Sequence, residues 1–194
     1  QYTGDYYHMD TYYRYYHLAF VKSLTAGNDY LDDLFKQVTD KVEGLYTHWF
    51  LGELGSNWAN ACSDELAKYG HIMEVPQQVN FYNDRVKSED NRVFVIISDE
   101  LRYEVAVSLA AQLKRETQCE VTIGSCQGIF PTITKFGMAA LLPHKQLSIN
   151  ERSNGELQVL ADGLPTDAGN RDKVLKTANE NSVVLKYNDI APMK

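Results

Sequence analysis

Two short stretches of the chain carry residues able to hold a metal or attack an electrophile. In the first, the apolar run Val93-Phe-Val-Ile-Ile97 leads into Ser98, Asp99 and Glu100. A run of that kind suits a strand buried on both faces of a mainly parallel sheet. An acidic residue where such a strand ends sits where open α/β sheets gather ligands, and its carboxylate can hold a divalent ion. Asp99 can instead cap the following helix, since Ser98 and Asp99 are both good capping types. In the second stretch, residues 128–143, Pro131 holds the chain extended and Thr132 and Thr134 precede a short helix. A hydroxyl there meets free backbone N–H groups and the positive end of the helix dipole, a place suited to phosphate. A metal that lowered its pKa would make such a threonine a nucleophile; otherwise it too is a cap.

The elements around these stretches fall into two blocks. Residues 1–88 read as helical throughout. Met9, Tyr12, Tyr13, Tyr16, Phe20 and Leu24 recur at steps of three and four and predict one buried stripe. Gly27 and Asn28 break that helix, and Asp29 can cap the next, whose stripe is Leu31, Leu34, Phe35, Val38, Val42, Leu45 and Tyr46. A third helix is predicted over 56–69, with Trp58, Cys62 and Leu66 inward and Gly70 as its stop. A short helix follows Pro76. Residues 89–194 read differently. After the strand over 93–97 comes a helix to about Thr117, with Leu101, Val105, Leu109 and Leu113 inward, and a second strand over 120–123. The order strand, helix, strand predicts a βαβ unit. Residues 147–149 and 157–160 read as a hairpin turning at Asn154-Gly155. A helix over 167–178 and a strand over 183–185 complete the pattern. The fold class is therefore α/β: a mostly parallel sheet with flanking helices, preceded by an all-helical subdomain. The domains are 1–88 and 89–194.

The 194 residues are 44% hydrophobic and 23% charged, enough to bury a core. No run of about 18 apolar residues exists, so no membrane association is expected. The chain begins without Met, which points to an internal fragment of something longer. The net charge of −7 divides into −5 over residues 1–88 and −2 over 89–194, so neither block is a basic nucleic-acid platform. Cys62, Cys119 and Cys126 match no zinc-knuckle spacing and read as reduced thiols of a cytoplasmic protein. The tyrosines crowded into the first helix read as packing residues with hydroxyls reaching the surface. His8 and His17 do not share a helix face and make no metal pair.

The two stretches together resemble a known family. Arg92-Val-Phe-Val-Ile-Ile-Ser-Asp-Glu-Leu-Arg-Tyr-Glu104 is similar to the strand and metal-ligand motif of PglZ-type proteins of the BREX phage-defence system. Residues 128–143 resemble the second motif of that family. Tyr46-Thr-His-Trp-Phe50 and Phe81-Tyr82 resemble the helical segment ahead of its core. The resemblance runs from about Tyr12 to Asp189 and is densest over 92–143. It implies a partial alkaline-phosphatase-like core, with Asp99 as the first acidic metal ligand. The motif Pro131-Thr132-Ile133-Thr134 puts Thr134 in the place of the nucleophile, which is also a metal ligand; Thr132 is the fallback. It further implies two divalent ions, zinc foremost, in the intact parent.

Arg102 and Glu104, one turn past Asp99, either orient it or pair with each other or with solvent. His144 reads as a surface or C-cap histidine, and Asp162-Gly163 as a turn. The resemblance implies further Asp and His ligands downstream of these motifs; no histidine follows His144, so they are expected outside this chain. The fragment alone is expected to bind metal weakly or not at all and to be inactive. The function implied for the parent is a metal-dependent phosphatase or phosphodiesterase, with a nuclease included, acting on a phosphate ester or nucleic acid in bacterial phage defence. The alternative is a non-catalytic interaction module that docks defence proteins such as a DNA methyltransferase.

Overall fold

The computed structural model describes residues 1–25 and 32–190, which separate into two compact units. The first comprises residues 1–73 and 100–125, the second residues 74–99 and 126–194. The break at Gly27 and Asn28, the Asp29 cap and Leu31 lie outside the described residues.

The first unit is helical. A π-helical turn, Tyr2–Tyr6, leads into α1, Tyr7–Thr25. Helix α2, Asp32–Gly44, continues through a π-helical segment, Leu45–Leu54, into α3, Gly55–Tyr69. Gly70 ends α3 at a left-handed φ of 73°, and its N–H donates to the Leu66 carbonyl. The aromatic α1 stripe, with rings at three- and four-residue steps, meets Phe35 of α2 and Tyr46 of the π-helical segment. Phe20 meets Phe35 edge-on at 6.4 Å, and the Tyr16 hydroxyl shares a hydrogen bond of 2.7 Å with that of Thr39. Tyr13 stacks on Tyr46 at 3.7 Å and donates to Glu43. His17 also pairs with Glu43, at 2.9 Å. Helix α4, Tyr103–Glu116, is tied to α1 through the buried Glu104, which pairs with Arg14. Several residues expected inward are open: Tyr12 is 64% and Trp58 54% exposed, and Leu101, Val105, Leu109 and Leu113 are 40–46% exposed. Apolar spacing sets which face a helix offers, but another layer must cover that face.

The second unit holds the sheet, and the sheet differs from the expected one. Strands β1 (Leu147–Glu151), β2 (Leu157–Ala161) and β3 (Leu164–Pro165) pair antiparallel in the order β1-β2-β3. Leu147 faces Ala161 and Glu151 faces Leu157 across the hairpin. Gly155, at φ 80°, supplies the left-handed position of its turn. The expected mostly parallel sheet is not present: the described parallel pairing is a single bridge between Gln77 and Gln127. Residues 93–97, 120–123 and 183–185 take no ladder partner among the described residues. A run suited to a fully buried strand therefore lies open, with Phe94 81% and Ile96 92% exposed. β-Propensity reflects a fit to neighbouring strands, and here none is present to supply it.

Two small clusters form the core of this unit. Phe136 and Ala139 of α5 (Thr134–Ala140) pack on Val159 of β2, with Ile129 and Leu147 alongside. Leu142, Ala161 and Val174 of α6 (Arg171–Ala178) form the second. The buried Thr166 hydroxyl donates to the Val159 carbonyl at 2.9 Å, locking β2 to the turn after β3. The buried face of α5 on the middle strand fixes the helix that begins with Thr134.

Candidate functional site

Asp99 and Thr134, 35 residues apart in sequence, meet in the second unit. The Thr134 hydroxyl donates to Asp99 Oδ2 at 3.0 Å. Both residues are exposed and line a cavity of about 300 Å³ with Gln78, Gly128, Thr132 and Gly137. Neither side chain caps a helix. The N-cap of α4 is Arg102 and that of α5 is Ile133, and neither end has a side-chain cap hydrogen bond. Thr134 is the first residue of α5, so its side chain is free of the cap role and turned to the carboxylate. After Asp99 the chain bends sharply: Glu100 holds a left-handed φ of 62°.

A glutamine that the sequence did not single out ties this site together. Gln78 begins the short turn Gln78–Asn80. Its backbone N–H donates to the Gln127 carbonyl at 2.9 Å, and the Gln127 N–H donates to the Pro76 carbonyl at 2.7 Å. Its side chain works in both directions. The Oε1 atom accepts the Ile129 N–H at 3.1 Å, and Nε2 donates to the Gly137 carbonyl at 3.2 Å. One side chain thus joins the loop before the Phe130–Pro131 cis peptide to the middle of the helix that carries Thr134. No sequence signal marks it, because its partners are two backbone groups.

The other polar candidates have local roles. Glu104 is taken up by Arg14 within the helical unit. His144 Nδ1–H donates to the Leu142 carbonyl at 2.7 Å, closing the turn after α5. Asp162 and Gly163 form the turn between β2 and β3, at φ 49° and 84°. The Asp162 carboxylate accepts the backbone N–H groups of Lys145 and Gln146, which hold its pKa below the usual carboxylate range. Of the three thiols, Cys119 and Cys126 are exposed and Cys62 is half-buried, and none is bridged. Although Cys126 is exposed overall, partial desolvation of its thiol pushes the pKa up, against the opposing charge of Arg85.

Thr134 Oγ1 and Asp99 Oδ2 lie 3.0 Å apart as hydrogen-bond partners, close enough for both to reach one ion. Among the described residues, however, no group of three or more His, Cys, Asp or Glu side chains converges. Asp99 and Thr134 therefore offer two oxygens and do not by themselves complete a coordination shell. No helix among the described residues is long and apolar enough to cross a membrane.

Residues 78–194 match the family described as the BREX system PglZ alkaline phosphatase-like domain. The alkaline phosphatase-like protein BrxZ of Escherichia coli O9:H4 (strain HS) is 42% identical over 168 residues, 83% of this chain and 19% of that protein. The alkaline phosphatase-like protein PglZ of Bacillus cereus (strain H3081.97) is 36% identical over 197 aligned positions, 99% of this chain and 22% of that protein. No solved structure matches the chain. The chain therefore spans about a fifth of the length of the curated relatives it matches. The family match takes in Asp99, Thr134 and Gln78 alike, and the chain belongs to the PglZ family of BREX alkaline phosphatase-like domains.

Proposed function

We propose that the chain carries the nucleophile half of a phosphoester-hydrolase site, used by a longer protein in phage defence. The observation that carries this reading is the hydrogen bond of Thr134 to Asp99, free of any cap role, on the wall of a small cavity. Asp99 fixes the direction of the Thr134 hydroxyl and receives its hydrogen. Attack forms the Oγ1–phosphorus bond and breaks the bond to the leaving oxygen, which takes the proton held by Asp99 and departs as an alcohol. Water then attacks phosphorus and gives one proton to Asp99; the Oγ1–phosphorus bond breaks, that proton returns to Thr134 Oγ1, and the phosphate product leaves. The substrate class is a phosphate ester, a phosphodiester or nucleic acid included.

The cavity also argues for a cation. Its described lining includes the Asp99 carboxylate and no Lys or Arg, so a phosphate placed there would be repelled without a positive charge. Asp99 and Thr134 would hold their share of a divalent ion, zinc being the first choice, with the other ligands supplied from elsewhere. That ion would supply the charge and lower the hydroxyl pKa.

The test uses the full-length protein and a nitrophenyl phosphodiester with added zinc. Thr134→Ala and Asp99→Asn should each lower kcat by at least about 10²-fold, while Thr134→Ser retains most of it. Full activity in Thr134→Ala would exclude the reading. A second reading is an assembly module that docks defence proteins such as a DNA methyltransferase. The uncovered run 93–97, with Ile96 92% exposed, favours it. Defence that survives Thr134→Ala but fails in Ile96→Lys would select it.

A further inference from the structure

The helical unit contains a second, larger cavity, of about 750 Å³, with a different chemistry. Tyr2, Tyr6, Phe50, Leu54 and Trp58 line it, and so does the carboxylate-bearing residue Asp10. Asp10 is 8% exposed. Its two carboxylate oxygens accept hydrogen bonds from the phenols of Tyr2 and Tyr46, each at 2.5 Å. Burial, then the bond to Asp10, pushes the Tyr2 phenol pKa well up and that of Tyr46 up to about 12. Both phenols therefore stay neutral and donate to the Asp10 carboxylate.

A buried carboxylate ordinarily has a cation beside it. Asp10 forms no ion pair with any described residue. Arg14 is engaged by Glu104, and Arg102, whose charge acts on Tyr46, makes no ion pair with Asp10. Two phenols fill two of the roughly four acceptor positions of a carboxylate, leaving capacity for another donor. The walls suit a cation as well, since ring faces attract ammonium and guanidinium groups while Leu54 and Phe50 suit an apolar stem. The unit as a whole has 14 acidic and 8 basic side chains, which favours the approach of positive charge.

We infer that this aromatic cavity is a binding site for an organic cation, an ammonium or guanidinium group on an apolar stem, with Asp10 as its counter-charge. The group comes either as a free amine or as a basic side chain presented by another protein.

Calorimetry and the Trp58 indole NMR signal, followed during titration with benzylammonium, butylguanidinium, benzyl alcohol and a capped Gly-Lys-Gly peptide, test the inference. The cations should saturate the site. Benzyl alcohol, of the same shape without the charge, should bind about 10- to 100-fold more weakly, and Asp10→Asn should weaken the cations by a similar factor. Tighter binding of the peptide than of the free cations assigns the site to a protein side chain; the reverse assigns it to a small amine. Leu54→Trp fills the cavity while leaving Asp10 in place, and it should abolish binding even if Asp10→Asn fails to fold. Equal binding of benzyl alcohol, no saturation by any cation, or cation binding that survives Leu54→Trp overturns the inference.

Discussion

The role given to Gln78 can be measured without any activity. Gln78→Met keeps the length of the side chain and removes both polar atoms. It leaves the Ile129 N–H and the Gly137 carbonyl, bonded at 3.1 and 3.2 Å, without their partners. Each bond contributes about 1 kcal/mol net, and the partners sit at a half-buried place where water replaces part of the loss, so the second unit should lose about 2 kcal/mol. The backbone bonds from Gln78 and Gln127 remain, so the loss should be local. Amide exchange of Ile129, read residue by residue by NMR, should speed up roughly 30-fold, the factor for about 2 kcal/mol. Gln78→Glu separates the two bonds. Its carboxylate still accepts from Ile129 but can no longer donate to Gly137, so Ile129 stays protected while α5 loosens. Lowering the pH below about 4 protonates that carboxyl and restores a donor. Unchanged Ile129 exchange together with an unchanged denaturant midpoint in Gln78→Met would refute this account.

Three further outcomes follow from other residues. The Asp162 pKa is lowered by the N–H groups of Gln146 and Lys145, so its contribution is complete above the ordinary carboxylate pKa of about 4 and is lost as pH falls through its lower folded value. Asp162→Asn, which tolerates the same left-handed φ, should flatten the acid limb of stability measured by urea unfolding. Val174 is 1% exposed between Leu142 and Ala161, so Val174→Ala should cost about 2 kcal/mol in the same assay. Glu100→Gly relieves a left-handed φ of 62° and should be neutral or stabilising, whereas the β-branched Glu100→Val should destabilise by about 1 kcal/mol or more.

What the sequence revealed depended on how local the cause was. The β1–β2 hairpin was legible because Asn154-Gly155 lies between two apolar-rich runs, and both the strands and the left-handed Gly155 appear. Helix α3 was legible to within a residue because Gly70 ends it. The sheet was not. Residues 93–97 have the composition of a buried strand, but composition carries no information about which partner is present. Asp99 and Thr134 each looked like a cap when read alone, and only the resemblance joined them across 35 residues. Gln78 could not be found at all, since its two side-chain bonds reach backbone groups 51 and 59 positions away.

The open run Val93-Phe-Val-Ile-Ile97 has a consequence for the chain as a material. Five consecutive apolar residues without charge or proline, two of them more than four-fifths exposed, are of the kind that stacks into cross-β fibrils. Arg92 and Asp99 flank the run with opposite charges and act as gatekeepers against such stacking. Protein concentration and ionic strength therefore become the variables that set its shelf life, since salt screens the two gatekeepers and leaves the run itself untouched.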